Sequence, residues 1–384
     1  MQVEQFQVTY CTNVHPGQTL TELCAVLERH VPAVRDELGA EIFGLGLRLG
    51  HPVVHTLTED PEQLSMLKQR CLQEKFDVFT VNGFPYGNFD VGVIKADVYE
   101  PDWTTDSRLA YTLKLAEVLA ALPGSNHRTI STVAGGFGPK TEDRHVRQRI
   151  GEKLNEAAEG LARIADRTGV QIRLCLEPEP WTTLETTDDV VAFWQMFVPE
   201  TGPVVDHLGL CYDCCHQALH YEDPELSLKA IEDAGIVVGK IQVSSALHLD
   251  NPSDRMARER LMKFAESRFL HQMVGRRSDG LVRRLDLSEL TLDDPVWLSA
   301  DSWRCHFHVP IWWSGDENLG TTKRDWVAAV TAAKKLKHRP HLEIETYTWD
   351  VIPAAARAAM ADGDLVASIV AEFASLNDVI KEVA

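Results

Sequence analysis

Glutamate, aspartate-x-x-histidine, glutamine and glutamate close four apolar runs of this chain, in that order. Glu177 ends IRLCLE, Asp213 and His216 lie in LGLCYDCCH, Gln242 in VGKIQVSS and Glu345 in HLEIETYTW. Oxygen donors that converge on one point form the shell a hard divalent cation needs. Glu177, Asp213, Gln242 and Glu345 are therefore the expected metal ligands. Three carboxylates and an amide oxygen suit Mn or Mg best, with Zn as the alternative. A single acid at a strand end more often caps the following helix. A set at matching strand ends goes beyond that use. His216 has three open roles: second-metal ligand, substrate contact, or support for Asp213.

These groups can meet only if the four runs lie side by side. The chain alternates short β-branched runs with longer helical patterns, which implies a parallel sheet. Strands are expected at 3–13, 41–49, 76–82, 127–133, 171–177, 207–213, 237–243 and 342–349. Helices are expected at 19–38, 105–121, 141–168, 187–198, 223–233, 321–337 and 363–382, with another beginning near Pro61. Val146, Ile150, Leu154, Ala157, Leu161 and Ile164 form one apolar stripe on a 3.6-residue period. Eight strand–helix units predict a (β/α)8 TIM barrel, whose strand C-termini share one rim. Neighbouring strands stand about 4.8 Å apart, so their terminal side chains can reach one ion. The rival open sheet lacks its usual G-x-G-x-x-G or P-loop signature.

The rhythm breaks at 244–320, which reads as an insertion or lid between strands seven and eight of a single 1–384 domain. It holds a basic helical segment at 253–267 and a lone strand at 303–309. Trp312 and Trp313 in it are read as lid, packing or partner-facing residues.

The chain has 384 residues and a formal net charge of −19, a field that disfavours nucleic acid and anionic membranes. No run approaches the roughly 20 apolar residues a spanning helix needs. MQVEQFQVTYCTN lacks the basic start and apolar core of a signal peptide, so a cytoplasmic location is expected. The eight cysteines are expected to be reduced. Cys214 and Cys215 would point to opposite faces of a strand, against a cysteine zinc site.

The motif order resembles the xylose isomerase-like barrels, which include sugar epimerases, hydroxypyruvate isomerase-type enzymes and the apurinic endonuclease branch. In that family Glu, Asp-x-x-His, His or Gln, and Glu surround the metal, here matching Glu177, Asp213 with His216, Gln242 and Glu345. Epimerases usually carry His where this chain has Gln242, and the hydroxypyruvate isomerase-like members resemble it with Gln. The segments TYCTNVHPG, TVNGFPYG, YDCCH, FLHQ, CHFHVP and ETYTW are similar to the EboE-type metabolite traffic proteins, which accompany export of natural-product precursors.

The resemblance implies a metal-dependent isomerase or epimerase acting on a small sugar-like or hydroxy-carbonyl substrate, or on a natural-product precursor. Glu177 and Glu345 would pass the proton of an enediolate step. The rival reading is a multi-metal phosphoesterase of the apurinic endonuclease-like branch acting on a small metabolite. A non-catalytic traffic protein is the third. Expected substrate contacts are His15, His51, Asn82, Trp181, His216, Arg304, His306 and His308. His15 could equally be a satisfied loop histidine and Trp181 a packing residue. His306 and His308, two apart on a strand, would share one face. Arg276, Arg277, Arg283 and Arg284 form a basic cluster, read as a solvated loop or a phosphate site.

Overall fold

Eight parallel strands are linked by helices packed on their outer side: β1 (Phe6–Tyr10), β2 (Phe43–Arg48), β3 (Phe76–Asn82), β4 (His127–Val133), β5 (Gln171–Glu177), β6 (Leu208–Asp213), β7 (Val238–Val243) and β8 (His341–Ile344). The structure is a computed structural model and describes residues 1–382, so the last two residues of the expected 1–384 domain lie outside it. The strands follow the order β1-β8-β7-β6-β5-β4-β3-β2. A parallel bridge from Cys11 to Gly46 brings β1 against β2. Thr9 supports this seam: its hydroxyl donates to the Gly44 carbonyl at 2.8 Å and accepts from the Gly46 amide at 3.0 Å. Gly46 must lack a side chain, because a Cβ there would stand 2.0 Å from Glu343 Oε1. The fold is thus the expected (β/α)8 TIM barrel, nearly closed.

The expected first strand is shortened because Gln2–Val3 fold back antiparallel on Phe6–Gln7. Glu4, at φ 50°, makes that turn. Helix Arg144–Thr168 is capped by Asp143 and stopped by Gly169 at φ 72°. Its stripe buries Ile150, Leu154, Leu161 and Ile164, and each such burial contributes roughly 1.5–3 kcal/mol.

Strand alternation makes the barrel interior polar. Ile241 and Val243 join the apolar shell outside, so Lys240 and Gln242 face inward. Lys240 Nζ meets Glu343 Oε2 at 2.6 Å with both side chains fully buried. It also donates to Ser131 Oγ at 3.2 Å.

Between β7 and β8 the chain builds a second sheet from Leu247–Leu249, Met273–Arg277, Gly280–Arg284, Ser302–Cys305 and Gly320–Thr321, all antiparallel. Only one strand was expected here, at 303–309. It ends at Cys305, and the helix expected at 253–267 spans Arg255–Met262. The hairpin 273–284 lacks apolar alternation: it carries four arginines and an exposed outer strand, which hides its β character. This sheet has its own core around Phe264, Trp297, Trp303 and Phe307. Trp313 belongs to that core, and Trp312 Nε1 reaches Ser368 Oγ at 3.4 Å on the C-terminal helix Leu365–Glu382. The eighth strand also ends early, at Ile344, so Glu345 starts the loop that follows. Among the described residues, no helix is long and apolar enough to cross a membrane.

Helix Leu365–Glu382 is fastened to the barrel rim through Glu372, which accepts from Thr346 Oγ1 and from the Ile311 amide. Burial pushes this carboxyl up to about 7, from an ordinary value of about 4.5. A raised carboxyl keeps its proton in the folded state while the unfolded chain loses it. Stability therefore falls as pH climbs from about 4.5 to about 7, by on the order of 3 kcal/mol in total. Glu372→Gln keeps an acceptor oxygen and removes the charge. Thermal melts should show the variant more stable than wild type at pH 8 and the difference vanishing near pH 4.5. A pH-independent difference would contradict this.

Candidate functional site

Each carboxylate at the barrel mouth has one oxygen held by the protein or its mate left bare. Asp213 ends β6 and caps helix Cys214–Leu219. Its Oδ1 accepts from the Cys215 amide (2.8 Å), the His216 amide (3.0 Å) and Ser244 Oγ (2.7 Å). Its Oδ2 is buried with no partner. Capping and ligation therefore fall to different oxygens of one residue. Glu345 Oε1 accepts from Asn13 Nδ2 and Asn82 Nδ2, both at 2.8 Å, leaving Oε2 free to turn toward the centre. Glu177 Oε2 is buried and unpartnered. One oxygen from each of Glu177, Asp213 and Glu345 lies within 4.8 Å of the other two. Gln242, paired in register with Asp213 on β6 and Glu343 on β8, has both amide atoms buried and unpartnered.

Crowding and burial shape the protonation of this centre. Burial first, and the nearby Asp213 charge second, push the Glu177 carboxyl well above the usual carboxylate range. Glu345 is raised the same way, by burial and then by Glu177 and Asp213.

Three imidazoles stand beside the carboxylates. His216 Nδ1 faces the Pro178 carbonyl at 3.1 Å, His308 Nδ1 the Glu345 carbonyl at 2.8 Å, and His306 Nδ1 the Gln272 Oε1 at 2.6 Å. Each partner is an acceptor, so these bonds assign the proton to Nδ1 and leave an Nε2 lone pair. Burial lowers the basicity of all three rings, keeping them neutral. His308 Nε2 is buried and unpartnered, and His216 Nε2 lies 3.9 Å from Asp213 Oδ2. Asp213, His216 and His308 make a second candidate ligand group, Glu179, His216 and His306 a third, and Cys215, His306 and His308 a fourth. Cys215 joins because Cys214–Leu219 is a helix, so the strand argument about its direction does not apply. His306 and His308 lie beyond the strand end, yet their rings sit 5.2 Å apart because the Gln272 and Glu345 contacts hold them. Unpartnered atoms on Glu177, Asp213, Gln242 and His308 fit a divalent cation as ligand.

A cavity opens onto this centre, lined by Asn13, Asn82, Glu177, Glu179, His216, His306 and Glu345, with an aromatic wall above. Glu179 Oε1 accepts from Tyr99 Oη (2.6 Å) and Gln272 Nε2 (3.0 Å), and burial pushes its carboxyl up to about 8. Asn13, Tyr99, Gln272, Ser244 and Tyr347 were not singled out from the sequence. Asn13 shares TYCTNVHPG with His15, and that segment was the one signal for it. The segments TYCTNVHPG, TVNGFPYG, YDCCH, FLHQ, CHFHVP and ETYTW all contribute to the cavity lining.

Four expected substrate contacts lie elsewhere. His15 bonds Tyr10 Oη at 3.1 Å and stacks on His30, on the outer face of β1. His51 opens helix His51–Glu59 and stacks on Tyr86, because a helix start, not a rim loop, follows β2. Arg304 pairs with Asp325 and lies over Tyr221. Trp181, at φ 66°, stacks under the Arg283 guanidinium at 4.2 Å. Arg277, Arg283 and Arg284 of the basic cluster pair with Asp279, Glu185 and Asp294, as a solvated hairpin would.

Fold and site together define a parallel (β/α)8 barrel with a carboxylate–histidine centre at the strand C-termini. The chain belongs to the xylose isomerase-like TIM barrel family, whose model matches residues 34–266. Its fold is similar to that of a xylose isomerase-like TIM barrel protein from Mycobacterium smegmatis in complex with magnesium, at 13% identity, 100% of each chain and TM-score 0.56. It is also similar to an L-ribulose 3-epimerase, at 15% identity, 99% of this chain, 96% of that one and TM-score 0.51. The IOLI protein with a bound zinc atom matches at 14% identity, over 98% of this chain and 99% of that one, with TM-score 0.50. No curated protein sequence matches the chain.

Replacing Asp213 tests the centre directly. Asp213→Asn keeps a capping oxygen, and Asp213→Ala removes it at a cost of roughly 1 kcal/mol. Elemental analysis of protein purified without chelator should show metal in wild type and a clear loss in both variants. Unchanged metal stoichiometry would remove Asp213 from the shell.

Proposed function

We propose that this protein is a divalent-metal-dependent isomerase or epimerase of a small hydroxy-carbonyl substrate. One observation carries the reading: Glu177, Asp213 and Glu345 present oxygens within 4.8 Å of one another in a buried centre. Glu177, Asp213, Gln242 and Glu345 would hold the ion, Mn or Mg by their oxygen character. Bound there, such an ion would supply Lewis-acid polarisation of the substrate oxygens. Family membership and the likeness to the ribulose epimerase fold support the same class.

The residues divide the remaining work. Glu177 and Glu345 enter the centre from β5 and from the loop after β8, so they approach a bound carbon from different sides. One takes the proton and the other returns it. Burial holds both carboxyls well above their ordinary range, which favours a proton carrier near neutrality. Asn13 and Asn82 fix Glu345 Oε1 and so set the direction of its other oxygen. His216 and His308, neutral and oriented, flank Asp213.

The histidine groups favour a second reading, a multi-metal phosphoesterase on a small metabolite, with two or three Zn. The EboE-type role in precursor traffic is supported by the six sequence segments, and a carrier would bind its metabolite without turnover.

Glu177→Gln and Glu345→Gln should each lower isomerisation of a small hydroxy-carbonyl substrate by about 10²–10⁴-fold while circular dichroism stays native. Wild-type rates in either variant would reject the assigned roles. One Mn or Mg per chain in wild type supports isomerase chemistry, whereas two or three Zn with phosphatase turnover would replace it.

A further inference from the structure

The cavity above the carboxylates is built for an apolar group. Phe89, Phe269 and Tyr347 form one wall, with ring centroids 4.9 to 5.2 Å apart. Phe84 and Tyr99, 5.7 Å apart, also line it. The polar groups among these residues already have partners. Tyr99 Oη is bonded to Glu179 and Gln272, and Tyr347 Oη faces His306 Nε2 at 3.4 Å. Asn13 and Asn82 each commit one amide N–H to Glu345, and Asn13 Oδ1 is buried without a partner.

Charge narrows the ligand further. Lys95 is the one lysine or arginine in the lining, among the described residues. Its Nζ donates to the Glu266 carbonyl (3.0 Å), the Phe269 carbonyl (2.6 Å) and Asp286 Oδ2 (2.6 Å), which uses all three of its N–H bonds. A phosphate here would meet Glu177, Glu179 and Glu345 with no unengaged guanidinium or ammonium to receive it. The hydroxyls of a polyol would lose water beside phenyl rings, at roughly 1–3 kcal/mol for each one left unpaired.

We infer that the substrate joins a hydroxy-carbonyl head, held at the carboxylate centre, to an uncharged aryl or short hydrocarbon tail packed on Phe89, Phe269 and Tyr347. The head rests on the isomerase reading above; the tail rests on the aromatic wall alone. A free polyol and a sugar phosphate are both disfavoured.

Calorimetry on Mn-supplemented protein, with metal content measured on the same sample, compares three probes. 2-Hydroxyacetophenone should bind at least about tenfold more tightly than dihydroxyacetone, from burial of its ring. Dihydroxyacetone phosphate should gain nothing over dihydroxyacetone. Phe89→Ala with Phe269→Ala should erase the aryl preference at unchanged metal content, and the milder Phe269→Leu should reduce it. Equal binding of the three probes, tighter binding of the phosphate, or binding of none would overturn the inference. Benzyl alcohol, which has no chelating oxygen pair, reads the wall without the metal. Saturation transfer to it should be strong in wild type and weak in the double variant; its absence in wild type would also overturn the inference. Protein that takes up no Mn yet gives this transfer would fault the metal centre and support the tail site.

Discussion

Three carboxylates facing one another inside a protein repel. At an effective dielectric of about 20, two charges 4.8 Å apart cost about 3 kcal/mol. Three such pairs together rival the whole net stability of a domain, about 5–15 kcal/mol. Burial and this crowding hold Glu177 and Glu345 well above the usual carboxylate range, and a cation among the three acids would relieve the repulsion. Lys240 sits in the same interior, yet it is matched at 2.6 Å by Glu343. The buried centre keeps an excess of acidic groups over basic ones, and the remainder of the site is arranged around that excess.

Its neighbours meet the constraint by division of labour. Backbone amides and Ser244 hold one oxygen of Asp213, and two asparagines hold one oxygen of Glu345. The oxygens left over are the ones without partners or free to turn. Carbonyl and amide oxygens fix the histidine tautomers by the same logic. The second sheet has a structural part in this. Ser302–Cys305 and Met273–Arg277 pair directly, and the segments flanking them carry His306, His308 and Gln272 to the barrel mouth.

Much of this was legible in the linear chain, for reasons that differ by element. The helix Arg144–Thr168 announces itself by its stripe, its Asp cap and its terminal glycine. β5 and β6 are apolar runs that end at acids, β7 carries Gln242 one residue before its end, and the closing seam keeps them in one ring. The inserted sheet was largely hidden, since its strands are short and one hairpin is rich in arginine. His15 and His51 were misjudged because sequence does not say which side of a strand or which turn of a helix a side chain takes. His306 and His308 share a direction through tertiary hydrogen bonds, not through a strand period.

Local chemistry is written residue by residue, so periodicity and punctuation alone determined the alternation of strands and helices and the placement of Glu177, Asp213 and Gln242 at strand ends, with Glu345 next to one. Which oxygen of each acid faces the centre was decided only by tertiary structure, as were the Asn13 and Asn82 clamp and the aromatic wall. These depend on contacts between residues up to 332 positions apart, such as Asn13 with Glu345. Such contacts form only when the barrel closes, and closure is a property of all eight strands at once.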